Sequence, residues 1–79
     1  MPDELFSVCQ FFADETYEYV RLGIPAREAV ETAKRYTESV GARIGTTCRV
    51  IITDEGDNIV FEWKFAEGVV YPPREEIQR

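Results

Sequence analysis

Histidine is absent from this chain of 79 residues. With it go the commonest general base at neutral pH and the commonest zinc ligand. Cysteine is scarce: Cys9 and Cys48 stand alone and cannot complete a zinc site within one chain. A secreted domain this small usually carries several disulfides, so two distant thiols point to a reducing compartment. Both lie in β-rich apolar runs and read as buried small hydrophobes; a redox pair is the sharper alternative. No apolar run approaches the ~18 residues of a membrane span, and no basic-then-apolar leader pattern opens the chain. The expectation is a cytoplasmic protein without membrane contact. A phosphate loop, a GxSxG elbow and the Rossmann glycine pattern are also missing. Catalytic, cofactor and metal residues are therefore not assigned, and the chain is not expected to be an enzyme.

Basic residues are in the minority, 9 against 15 acidic, for a formal net charge of −6. That balance opposes phosphate neutralisation, so nucleic acid is not the expected partner. Arg21, Lys34, Arg35, Arg43 and Arg49 still gather in the middle of the chain, while acid collects at both ends and at Asp54, Glu55 and Asp57. These three acids lack the ligand ladder of an EF-hand, and Asp, Gly and Asn are what a tight turn needs. Turn chemistry is the simpler reading.

What the chain does contain is β pattern around one helix. Ile59, Phe61, Trp63 and Phe65 alternate with polar residues, the period of a half-buried strand. Cys48–Thr53 precedes them across Asp54–Asn58, giving a hairpin whose aromatic row is expected in the core. Residues 5–22 are ambiguous. Leu5, Val8, Cys9, Phe12, Thr16, Tyr19 and Val20 match a helical face, yet the residue types suit sheet, and Ala13–Thr16 resembles a hairpin loop. A hairpin of Leu5–Phe12 and Tyr17–Leu22 is preferred. Between the hairpins, Gly23-Ile24-Pro25 starts a helix, with Pro25 suited to its first position. Ala26, Ala29, Val30, Ala33, Thr37 and Val40 define its apolar face, and Gly41 or Gly45 ends it. Arg27/Glu31, Glu31/Arg35 and Lys34/Glu38 are opposite charges at i,i+4 on the other face. Val69–Tyr71 forms either a short edge segment or a flap over apolar surface. Met1–Glu4 reads as a frayed start and residues 72–79, with Pro72-Pro73 and a charged end, as a mobile tail.

The expected fold class is therefore α+β, a single domain over residues 1–71. Its arrangement is ββαββ, a four-stranded antiparallel sheet in order 2-1-3-4 with one helix on one face. The alternative is ααββ. Ten aromatic residues (five Phe, four Tyr, one Trp) exceed what one alanine-faced helix covers. The second sheet face then carries Phe11 or Phe12, Tyr17, Tyr19 and an isoleucine such as Ile51, an apolar patch of the kind that marks interaction sites.

Ser39-Val40-Gly41-Ala42-Arg43-Ile44-Gly45-Thr46-Thr47, Arg49–Asp54, Glu62-Trp63-Lys64, Gln10-Phe11-Phe12 and Gly68–Pro73 together resemble a group of small uncharacterised bacterial proteins, mainly α-proteobacterial. The resemblance spans most of residues 5–73 and implies no activity, ligand or site residue.

The leading functional expectation is a small non-enzymatic protein-interaction domain using the open sheet face or an edge strand, with a partner protein or as a homodimer. Phe11, Tyr17, Tyr19 and Arg21 are its candidate contact residues. Two other classes stand beside it. One is an acidic inhibitor or decoy of nucleic-acid-binding machinery, in the manner of anti-CRISPR proteins. The other is single-strand nucleic-acid binding by base stacking on the tyrosines.

Overall fold

In the computed structural model, which describes residues 4–72, Leu5–Phe12 and Tyr17–Pro25 form β1 and β2. The hairpin reading of this stretch holds, and the helical alternative does not. Asp14 closes the turn by accepting from the Thr16 amide at 3.0 Å and the Thr16 hydroxyl at 2.6 Å. β2 runs three residues further than expected, to Pro25, because two register shifts and Gly23, at φ 62°, let it bend without ending.

Helix α1, Ala26–Thr37, follows directly. Pro25 is its N-cap rather than its first helical residue, at φ −63° and ψ 159°. The expected single helix reaching Gly41 or Gly45 is two helices. α1 stops at Thr37, and Ser39 starts α2 (Val40–Ile44) by accepting from the Ala42 amide at 3.1 Å. Serine competes for backbone donors in this way, which favours a cap over a helix interior. Gly45 caps α2 in the left-handed region at φ 91°, and a Cβ there would meet the Phe65 ring at 3.3 Å.

The buried face of α1 is also rotated from the expected one. Ala29, Thr32 and Ala33 are buried and Tyr36 packs on the core, whereas Val30 is 58% and Val40 73% exposed. Among the described residues none of the expected i,i+4 pairs reaches ion-pair distance. Glu28 instead pairs with Arg21 of β2, at 3.3 Å.

β3 (Thr47–Thr53) and β4 (Ile59–Lys64) form the second hairpin, and Gly68–Tyr71 adds β5. The sheet therefore has five antiparallel strands, ordered β2-β1-β3-β4-β5, where four were expected. The extra strand is the Val69–Tyr71 segment taking its edge option. The positive φ of Ala66 and Gly68 lets so few residues reverse the chain. Met1–Asp3 and residues 73–79, where the frayed start and most of the charged tail were placed, lie outside the described residues.

The core lies between α1 and strands β1 and β3. Val8, Val50 and Ile52 meet Ala29, Ala33 and Ile24, with Phe6, Val20, Tyr36, Phe61 and Trp63 packed around them. The aromatic row expected as core contributes only its middle pair, since Ile59 is 37% and Phe65 42% exposed. One polar chain crosses the sheet from a buried start at Thr47 and Gln10 to an exposed end at Glu18. The Thr47 hydroxyl donates to Gln10 Oε1 at 2.9 Å, and Gln10 Nε2 donates to Glu18 at 3.2 Å. No helix among the described residues is long and apolar enough to cross a membrane.

Truncating the centre of this core costs packing that nothing can refill. Ile52→Ala is expected to lower unfolding free energy by about 2–5 kcal/mol, read from the urea midpoint at an unchanged slope. Val30→Ala, on the rotated and exposed position, is expected to shift it by less than about 0.5 kcal/mol. Equal losses would place Val30 in the core.

Candidate functional site

Residues directly opposite in an antiparallel pair share a face, so the register defines the side of the sheet away from α1. Tyr19 stands opposite Cys9 and Tyr17 opposite Phe11. β3 adds Ile51 beside Cys9 and Arg49 beside Phe11. β4 adds Glu62 and Lys64, and β5 adds Tyr71 opposite Glu62. Phe11, Tyr17 and Tyr19 form one ring cluster. Phe11 and Tyr17 centroids are 5.5 Å apart at 43°, and Tyr17 and Tyr19 meet edge-to-face at 6.1 Å and 89°. Such geometry suits the ring quadrupoles and holds the tyrosines without burying them. Tyr17 is 61% and Tyr19 53% exposed.

Three of the four residues expected at the contact are thus brought together. The fourth is placed elsewhere. Arg21 follows a bulge, stands opposite Val8 and is held by Glu28 of α1. Arg49 occupies the ground expected of it. Its guanidinium lies 4.7 Å from the Phe11 centroid while its Nε donates to Glu62. A stacked, paired arginine at this depth is fixed in orientation. The sequence carried the signal for it, because Arg49 is two residues before Ile51 and alternation puts both on one face.

The face is not bare hydrocarbon. Cys9 and Ile51, at its centre, are 2% and 8% exposed. The ring cluster and the Arg49–Glu62 pair flank them in the register. Burial pushes the Cys9 thiol up from its ordinary value, with the Glu18 backbone hydrogen bond opposing. Cys48 is half-buried rather than buried, and both thiols are free. Cys9 aligns with Ile51, three residues from Cys48, or ~10 Å along a strand. That exceeds the ~7 Å Cα limit for a disulfide, which removes the redox pair.

The acidic hairpin tip is committed to its own turn. Asp54 Oδ1 accepts from the Gly56 and Asn58 amides, each at 2.9 Å, and the Asn58 bond leads in holding its carboxyl below the ordinary value. Glu55 accepts from the Leu5 amide at 3.1 Å, tying the tip to the start of β1. Among the described residues no three His, Cys, Asp or Glu side chains gather as a metal ion would need.

On the opposite side of the sheet an apolar groove of about 660 Å³ runs between α1 and the β4–β5 edge. Phe6, Ile52, Phe61 and Val69 form its floor, Val30 and Ala33 part of its wall. Of the helix stripe read from the sequence, Ala26, Ala29, Val30, Ala33 and Thr37 line this groove, Ala29 and Ala33 while also belonging to the core.

No protein-family model, curated protein or solved structure matches the chain. The face and the groove must therefore be read from their own chemistry.

Two measurements check this account. With a thiol-reactive disulfide reagent on the folded protein, Cys48 is expected to react first and Cys9 slowly, because burial raises the Cys9 pKa and thins its thiolate. Two equally fast thiols would contradict its burial. Asp54, with a lowered folded pKa, supports the turn above the unfolded value and loses that support as pH falls through the folded one. The Gly56 and Asn58 amide shifts should titrate with a midpoint below the ordinary 3.8. A midpoint above it would mean that the carboxylate does not hold the turn.

Proposed function

We propose that this protein is a small non-enzymatic interaction domain that meets its partner, in the simplest case a second copy, through the sheet face bearing Phe11, Tyr17 and Tyr19. The observation that carries the reading is an ordered three-ring cluster whose two tyrosines remain more than half exposed. Tyrosine offers large, rigid, amphipathic contact area with little rotamer entropy to lose, which is why it recurs at interface centres.

The charges around the face support a second copy. Lys64 lies at the Phe11 end of this face, and Asp57 at the hairpin tip beyond the other end. Two copies stacked face to face about a two-fold axis that runs across the strands set each cationic end against the other's acidic tip. A face that is its own complement is what an isologous contact requires.

Neither competing class gains from the geometry. Base stacking on the tyrosines needs several cations along the phosphates, and with Arg49 held by Glu62 this face offers Lys64 alone among the described residues. An acidic decoy needs several free carboxylates at the tip, and with Asp54 taken by its turn and Glu55 by the Leu5 amide only Asp57 remains there.

Size-exclusion chromatography with light scattering tests the proposal. The wild-type chain is expected to run as a dimer at high micromolar concentration and to dissociate as salt rises. The Tyr17→Ala/Tyr19→Ala double variant should be monomeric with an unchanged circular dichroism spectrum. A wild-type monomer at that concentration would rule out the second copy. A salt-sensitive anisotropy rise with a short single-stranded oligonucleotide would favour nucleic acid instead.

A further inference from the structure

The groove between α1 and the β4–β5 edge poses a separate question, independent of the tyrosine face. Five strands are broader than one helix, and α1 packs chiefly on β1, β2 and β3. Phe61 and Val69 are left as an apolar floor, with Val69 44% exposed. Packed helices lie ~8–10 Å apart, and β3 and β5 are two strand spacings apart, ~9.6 Å. One further helix laid beside α1 would therefore sit over β4 and β5 and fill the layer. Its neighbour on α1 would be the exposed side chains of Ala26 and Val30, since Ala29 and Ala33 are already buried against the sheet.

The rim charges give the occupant a direction. Glu4 lines the groove near Ala26, and Glu55 is fastened beside it through the Leu5 amide. Lys34 lines the other end, ~12 Å further along the helix axis, and makes no ion pair among the described residues. A helix antiparallel to α1 brings its N-terminus to Lys34 and its C-terminus to the acids. Helices carry acid in the first turn and base in the last for reasons of their own dipole. In the antiparallel direction that ordinary pattern matches the rim at both ends; in the parallel direction it clashes at both. A second copy's α1 is a poor occupant, because its outer face is lined with Arg27, Glu31, Arg35 and Glu38, while the floor is apolar.

We infer that the groove binds an amphipathic helix of a partner protein, antiparallel to α1, with an apolar stripe toward Phe61 and Val69, acid near its start and base near its end. The test uses three labelled peptides on the full chain, followed by amide NMR: a leucine-striped helix with glutamates first and arginines last, the same helix with the charges exchanged, and a scrambled control. The expected result is shifts at Ala33, Phe61 and Val69 with Tyr17 and Tyr19 still, and about tenfold tighter binding of the first peptide than the second. Lys34→Glu should abolish or invert that preference, and Val30→Glu should weaken both peptides by about tenfold; both positions are exposed, so folding is not at stake. The inference falls if no peptide shifts the groove up to about 1 mM, if the scrambled control does as well, or if the shifts map to the tyrosine face. It also falls if decanoate moves the same amides more strongly, since the groove would then hold a small amphiphile.

Discussion

Two alanines set the architecture. Ala29 and Ala33 rest on Val8, Val50 and Ile52, and their lack of bulk brings α1 down close to the sheet. Close approach means that α1 makes a tight contact over few strands rather than a loose one over many. The core is accordingly narrow, centred on β1 and β3, and the aromatic residues of β4 join only at its margin. The exposed Val30 and Val69 and the groove they border all follow from that one seat. A leucine at position 29 or 33 would lift the helix, and the sheet would lose its contact with the whole first half of α1.

Much of the fold was legible because the alternation patterns were local. The two hairpins and the helix between them follow from period-two runs and turn residues that need no tertiary knowledge, and the order 2-1-3-4 follows once the helix is taken as the crossover that keeps the sheet antiparallel. What escaped notice was decided at a distance or by one atom. The Ser39 hydroxyl divides a helix whose apolar spacing runs on unbroken past it. The phase of α1 is set by which side chains are small enough to meet β1 and β3, so Val30, more apolar than Ala29, is the one left outside. Val69–Tyr71 reads equally as an edge segment or a flap, and the free edge of β4 decides between them.

The candidate site was legible to the extent that strand alternation reaches. Phe11, Tyr17, Tyr19 and Ile51 fall on one face as the period of two requires. Arg21 parts from them because a bulge shifts the register of β2, and bulges leave little trace in sequence. Arg49 enters for the opposite reason: its strand stays regular through Arg49 and Ile51, and the partner strand places it over Phe11. The groove was invisible from the sequence, since it is a relation between elements that have no pattern in common.

The polar chain from Thr47 through Gln10 to Glu18, buried at its first link, bears on time rather than on form. Gln10 and Thr47 are 37 positions apart, whereas each hairpin closes on its own short turn. Local turns form in about 1–10 μs, but the β1–β3 seam must wait for a long loop, helix included, to close. The hairpins are thus expected to form and dissolve many times before they meet. The polar chain then acts as a proofreading step at that meeting: a seam slipped by one residue would turn Gln10 from Thr47 and leave a buried amide without its partner. The seam is thus checked twice, by its apolar face and by one amide that must find its hydroxyl.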